Sequence, residues 1–249
     1  VIPNAEGARK IRWNLGGQGK RGGVRVIYFN VNEDLLSGIT GRILLLERKF
    51  SEAIPNLEQQ YKAMPNGNNA RYLAFALEGN GQKADAMKLL EQFSSKERVD
   101  NKFNPGVSLS LANMYLAEHQ SKAIEEYEQL IKVVPKNIVV LNNLSWLYME
   151  QNKLVKAMKY SKLAYDLNAE IPNVVDTYAQ ALLKSGKKGE ALVKAKEAYE
   201  LSKGSNIDIA LNFAETLLVN KNNKEAQRIL NEITVVTAEQ KAKKQQLSK

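Results

Sequence analysis

From residue 35 to residue 236, apolar side chains recur every three or four positions, the spacing that predicts amphipathic α-helices. Within this stretch six alanines recur at intervals of 33, 37, 34, 34 and 35 residues, and each follows a short polar or glycine-containing turn. The six are Ala53, Ala86, Ala123, Ala157, Ala191 and Ala226. A period near 34 residues is typical of stacked helix–turn–helix units. The pattern therefore predicts an array of helix pairs.

The clearest of these units covers residues 137–170. Its apolar and small positions at helical spacing are Leu141, Leu144 and Tyr148, then Ala157, Ser161, Ala164 and Leu167. Small residues let two helices cross closely, and the large ones fill the space between neighbouring units. The unit resembles the tetratricopeptide repeat, and the resemblance covers residues 40–236. It implies an all-α superhelical solenoid of about six helix–turn–helix units.

The resemblance also implies a concave groove, lined mainly by the first helix of each pair, that binds a protein or peptide partner. The candidate groove residues are Asn113, Asn142, Trp146, Asp176, Gln180 and Lys184. Asparagine side chains can hydrogen-bond a peptide backbone, and Trp146 would supply an aromatic anchor. Two simpler interpretations stay open: Trp146 packs between repeats, and the polar side chains are only solvated.

Two segments resemble one particular group of tetratricopeptide repeat proteins. Residues 141–148, with the sequence LNNLSWLY, and residues 171–178, with the sequence IPNVVDTY, resemble the tetratricopeptide repeat proteins of bacterial exopolysaccharide and PEP-CTERM sorting systems. That resemblance implies association with the cell envelope. The sequence shows neither a basic and apolar leader nor a lipobox cysteine. The compartment stays open: cytoplasmic for the chain as given, or periplasmic if a missing N-terminus carried an export signal.

The first 34 residues follow a different pattern. Residues 8–14 alternate apolar and basic positions, residues 23–31 are rich in β-branched and aromatic side chains, and a glycine-rich segment joins them. These features predict two strands of a β-hairpin. The G-x-G-x-x-G motif at residues 17–22 is not expected to bind a dinucleotide, because a strand rather than a helix follows it.

The same segment suggests an alternative function. Residues 7–13 and 19–29, which include the run GKRGGVRVIY, resemble the RelE/HigB family of type II toxins, which are ribosome-dependent mRNA endonucleases. The resemblance implies RNA contacts by Lys10, Arg12 and Arg25. It covers about a third of such a domain and lacks the preceding helices and the later strand and tail. The alternative is therefore an inactive toxin fragment fused to the repeats, with RNA or the ribosome as partner.

The amino-acid composition excludes several kinds of functional site. The chain has no cysteine and one histidine, which excludes disulfides, thiolate metal sites and histidine-based metal clusters. No catalytic residue, metal or cofactor is expected, and the chain is predicted not to be an enzyme. No apolar run approaches the roughly 18 residues that a membrane-spanning helix needs. The net charge of +9 is concentrated at the two ends of the chain.

The predicted organisation has three parts: a hairpin at residues 1–34, a repeat solenoid at residues 35–236, and a basic polar tail at residues 237–249. The predicted function is a scaffold that holds a protein or peptide in its groove. Contact with RNA belongs only to the alternative.

Overall fold

The computed structural model describes residues 8–13, 24–29, 33–99 and 103–248, with the backbone alone described for residues 8–13, 24–29 and 96–99. Helices dominate these residues. The helices are α1 (Glu33–Leu46), α2 (Phe50–Ala63), α3 (Gly67–Gly79), α4 (Lys83–Val99), α5 (Pro105–Tyr115), α6 (Gln120–Val133), α7 (Ile138–Glu150), α8 (Leu154–Leu167), α9 (Pro172–Lys184), α10 (Lys188–Leu201), α11 (Ile207–Val219), α12 (Asn223–Glu232) and α13 (Ala238–Leu247). None of the helices in this described part is long and apolar enough to cross a membrane.

The six alanines found in the sequence occupy one structural position. Each is the fourth residue of an even-numbered helix, from Ala53 in α2 to Ala226 in α12. All six are completely buried. An alanine has no side chain beyond Cβ, so the partner helix can approach closely at this point. The regular spacing in the sequence is therefore the spacing of the contact points within helix pairs.

Tight turns with a left-handed residue connect the helices of most pairs. The residue two positions before the even-numbered helix has a positive φ in five of the six turns. These residues are Arg48, Gly81, Asn152, Gly186 and Lys221, with φ between 54° and 82°. The amide that follows then bonds back to the preceding helix; for example, the Lys153 N–H donates to the Tyr148 carbonyl oxygen at 2.8 Å. This closure is a Schellman motif, which satisfies the last carbonyls of the first helix.

The chain divides into two compact units, residues 1–110 and residues 111–249. In the first unit, α1 packs on α2, α2 on α3, and α3 on α4. In the second unit, α7 pairs with α8, α9 with α10, and α11 with α12. There the odd-numbered helices also contact each other in succession, from α7 to α9, α11 and α13. This row of odd-numbered helices positions the candidate site.

The predicted fold class is corrected: the described residues form an all-α array of thirteen helices, and a β-hairpin is not part of this array. The strands β1 (Ala8–Trp13) and β2 (Val24–Phe29) pair antiparallel, but residues 14–23 between them lie outside the described part. Two paired strands alone are marginally stable in water, so they are a side element. The thirteenth helix, α13, lies where the sequence predicted a polar tail.

Candidate functional site

A cavity of about 410 Å³ opens on the row of odd-numbered helices in the second unit. Its lining residues come from α7, α9, α11 and α13, and from no other element in the described residues. We call the surface that these four helices form around the cavity the trough. Four of the six candidate groove residues line it: Trp146, Asp176, Gln180 and Lys184.

Helix α9 places three of these side chains on one face. Asp176, Gln180 and Lys184 are spaced by four residues, so they follow one another along the helix. Trp146 is the ninth residue of α7, and Gln180 is the ninth residue of α9. Trp146 and Gln180 are therefore equivalent positions of neighbouring repeats. The helical repeat itself brings them together in the cavity.

Asp176 is the most deeply buried ionisable group of the trough. Its exposed fraction is 9%. Asn212 on α11 donates a hydrogen bond from Nδ2 to Asp176 Oδ2 at 2.6 Å, whereas Asp176 Oδ1 is buried without a partner among the described residues. Burial raises the pKa of Asp176 to about 7, although the Asn212 hydrogen bond and the charge of Lys243 oppose that rise.

Helix α13 closes one side of the cavity through polar contacts with α11. Lys243 Nζ donates to Asn212 Oδ1 at 2.6 Å and forms a salt bridge with Glu215 Oε2 at 2.8 Å. Gln240 Nε2 donates to Asp208 Oδ1 at 2.9 Å. The sequence interpretation did not include these residues, because the segment was expected to be a tail.

One local signal in the sequence marks this helix. Thr237 and Gln240 form a capping box: Thr237 Oγ1 accepts from the Gln240 N–H at 3.1 Å, and Gln240 Oε1 accepts from the Thr237 N–H at 3.3 Å. A threonine followed three residues later by glutamine is a helix-start signature that can be read from sequence. Gln240 thus both caps α13 and connects it to α11.

The side chain of Trp146 borders the cavity with 42% of its surface exposed. Lys184, at the far end of the same face of α9, pairs with Glu150 of α7 at 3.4 Å. Both side chains of this pair are exposed, so it contributes little to stability. The partly exposed indole of Trp146, by contrast, offers apolar area to a ligand in the cavity.

The two remaining groove candidates do not line the cavity. Asn142 on α7 is half-buried, and its Oδ1 has no partner among the described residues. Asn113 on α5 accepts a hydrogen bond from the buried Tyr127 hydroxyl, which in turn accepts one from Asn143 Nδ2 at 2.8 Å. Burial raises the pKa of Tyr127 to about 12. Asn113 therefore belongs to a chain of hydrogen bonds that joins α5, α6 and α7.

The three candidate RNA contacts lie on the paired strands. Arg12 of β1 is opposite Arg25 of β2, and Lys10 is opposite Ile27. Their side chains lie outside the described part of the structure.

Comparison with known proteins agrees with this architecture. A family model described as tetratricopeptide repeat matches residues 42–234. The crystal structure of a tetratricopeptide repeat protein from Parabacteroides merdae ATCC 43184 is similar with a TM-score of 0.73 and 12% identity, covering 88% of this chain and 86% of that one. No curated protein sequence matches this chain.

Structures of MamA are also similar. MamA AMB-1 has a TM-score of 0.58 and 23% identity, covering 72% of this chain and 96% of that one. The MamA RS-1 double mutant has a TM-score of 0.62 and 15% identity, covering 71% of this chain and 98% of that one. At these identities the similarity shows the fold alone.

Proposed function

Because this chain belongs to the tetratricopeptide repeat family, we propose that it is a non-enzymatic scaffold that binds an extended protein segment in the trough. The observation that carries the proposal is the cavity on α7, α9, α11 and α13, with a partly exposed tryptophan beside buried polar groups. Aromatic anchors carry much of the binding energy in protein interfaces. The trough has the parts that such an anchor site requires.

The polar atoms of the trough support the same proposal. Asp176 Oδ1 is a buried acceptor and Gln180 Nε2 is a buried donor, and neither has a partner among the described residues. A buried polar atom without a partner costs free energy, which a ligand that supplies the complementary group recovers. An extended peptide carries both donors and acceptors along its backbone.

The proposed biological setting is the bacterial envelope, in exopolysaccharide export. Its support is the resemblance of residues 141–148 and 171–178 to the repeat proteins of those systems. The toxin-like alternative depends on residues 1–34, which precede the matched span of residues 42–234. The family match gives that alternative no support.

The test uses the full chain and a random twelve-residue peptide library displayed on phage. The trough variant combines Trp146→Ala, Asp176→Asn and Gln180→Ala, three residues that line the cavity. We expect the wild-type chain to enrich a set of peptides and the trough variant to lose their binding, while the helical circular-dichroism signal is retained.

A matched control carries Val155→Ala, Val193→Ala and Glu232→Gln, three changes at exposed positions of even-numbered helices. This control should bind the selected peptides as the wild type does. Equal binding by the trough variant would place the peptide site elsewhere on the chain and refute the proposal.

A further inference from the structure

The trough is acidic although the chain as a whole is basic. The chain has a net charge of +9. The carboxylates that line the cavity are Glu150, Asp176, Asp208, Glu215 and Glu239, and the cations are Lys184 and Lys243. The two lysines pair with Glu150 and Glu215. Asp176, Asp208 and Glu239 therefore have no ion-pair partner among the described residues.

One of these three carboxylates combines burial beside the cavity with an oxygen that lacks a hydrogen-bond donor. Asp176 lines the cavity, is more than nine-tenths buried, and keeps Oδ1 without a hydrogen-bond donor. Its other oxygen is held by Asn212 at 2.6 Å, which fixes the orientation of the carboxyl group. A cationic donor at Oδ1 would make a charge-assisted hydrogen bond with a group that is shielded from water, where such bonds are strong.

The arrangement of the carboxylates argues against a small ion. Among the described residues no three His, Asp or Glu side chains are placed so that they could hold a metal ion. The unpaired carboxylates come instead from three different helices, α9, α11 and α13. A longer ligand can place a cationic group at Asp176 while the rest of that ligand contacts Asp208 and Glu239.

The tryptophan favours a planar cation. Trp146 lines the same cavity and is 42% exposed. A guanidinium group can hydrogen-bond a carboxylate with its N–H fork and also stack on an aromatic face, whereas a lysine ammonium is a compact charge. The lining residues therefore match an arginine better than a lysine.

We infer that the cavity binds an arginine side chain of the partner segment, with the guanidinium group on Asp176 Oδ1 and its flat face against Trp146. The inference rests on the proposed function, because it specifies the chemistry of the segment that the trough holds. The partner is then a basic, extended peptide segment.

The test begins with the peptides selected from the phage library by the full chain. We expect arginine to be enriched among them. The tightest binder is then synthesised with a fluorescent label and, separately, with each arginine replaced by citrulline, which has nearly the same shape without the charge. Fluorescence anisotropy should show about ten- to a hundred-fold weaker binding for one citrulline peptide, which corresponds to one charged hydrogen bond.

Protein variants assign the effect to one side chain. Asp176→Asn keeps an acceptor for Asn212 and removes the charge. It should weaken binding of the arginine peptide by the same factor and leave binding of the citrulline peptide unchanged. Glu232→Gln is the control, because Glu232 pairs with Arg228 on the exposed face of α12, outside the cavity. It should bind both peptides as the wild type does.

The outcomes separate this inference from the proposed function. Trough-binding peptides that lack basic residues, or an arginine preference that survives Asp176→Asn, would overturn the inference and leave the scaffold function standing. Lysine-rich peptides that bind through Asp176 without a contribution from Trp146 would overturn the arginine assignment. A chain that selects no peptide in the trough would refute both proposals.

Discussion

Asn212 of α11 holds one oxygen of Asp176 of α9 at 2.6 Å and leaves the other oxygen of that carboxyl group without a donor. The two residues belong to neighbouring repeats, so this contact joins two successive odd-numbered helices beside the cavity. The carboxyl group is buried, and burial disfavours its charged form. The site is therefore organised around a group whose charge opposes folding.

The first prediction concerns the pH dependence of stability. The pKa of Asp176 is about 7 in the folded chain, whereas in the unfolded chain it has the usual aspartate value near 4. Between these values the folded chain binds the extra proton, so the free energy of unfolding falls as pH rises from about 4 to about 7 and is unaffected by this group above that range. Asp176→Asn removes this dependence.

Denaturant unfolding at several pH values measures the effect. From pH 5 to pH 8 the Asp176→Asn variant should gain about 2 to 3 kcal/mol relative to the wild type, since one proton changes stability by about 1.4 kcal/mol per pH unit. The variant Glu232→Gln, changed at an exposed carboxylate, should show no such gain. Parallel pH curves for Asp176→Asn and the wild type would contradict the raised pKa.

The second prediction concerns the turns. Lys221 has a φ of 63° at the position where Gly186 has a φ of 79° in the preceding turn. A left-handed backbone costs a residue with a Cβ about 1 kcal/mol, and glycine avoids that cost. Lys221→Gly should raise the free energy of unfolding by roughly 0.5 to 1 kcal/mol, because the Lys221 side chain is exposed and the turn hydrogen bonds are made by the backbone.

The reverse change provides the control for this turn. A Cβ at Gly186 would meet nothing within 4 Å, so Gly186→Ala changes the backbone cost without creating a steric clash. It should lower stability by a similar amount. A thermal melt in which both variants shift in the same direction would show that the left-handed residues do not carry this energy.

Much of the helix array could be predicted from the sequence, because each pair repeats the same local rules. A small residue is needed where two helices cross, and this gives the spacing from Ala53 to Ala226. The tetratricopeptide repeat resemblance is confirmed by the family match. Four groove candidates line one cavity because the face of an odd-numbered helix opposite the core is the face that the trough exposes.

The C-terminal side of the site could not be predicted in the same way. Helix α13 is rich in lysine and glutamine and has little apolar periodicity, so its sequence is typical of a solvated tail. Its position depends on contacts with residues about thirty positions away, such as Lys243 with Asn212. Asp176 is likewise in contact with a residue far along the chain, Asn212 of α11, and the local pattern of α9 contains no sign of its burial.

The third prediction tests the crossing point of one helix pair. Ala86 is completely buried in α4, whereas Ala84, two residues earlier in the same helix, is exposed. Ala86→Leu should lower the free energy of unfolding by about 1 to 3 kcal/mol, because the larger side chain forces the packed helices apart. Ala84→Leu adds the same atoms on the solvent side and should stay within about 0.5 kcal/mol of the wild type. Equal losses for both variants would show that Ala86 does not mark a close helix contact.

The fourth prediction tests whether α13 is held as a helix by its capping box. Thr237→Ala removes the side-chain oxygen that accepts the Gln240 N–H at 3.1 Å. Loss of such a cap costs roughly 1 kcal/mol, so backbone amides of residues 238–248 should exchange with deuterium about fivefold faster. Thr234→Ala is the control, because Thr234 is exposed and precedes the helix. Unchanged exchange in the Thr237→Ala variant would mean that the contacts of Gln240 and Lys243 with α11, rather than the cap, hold α13 in place.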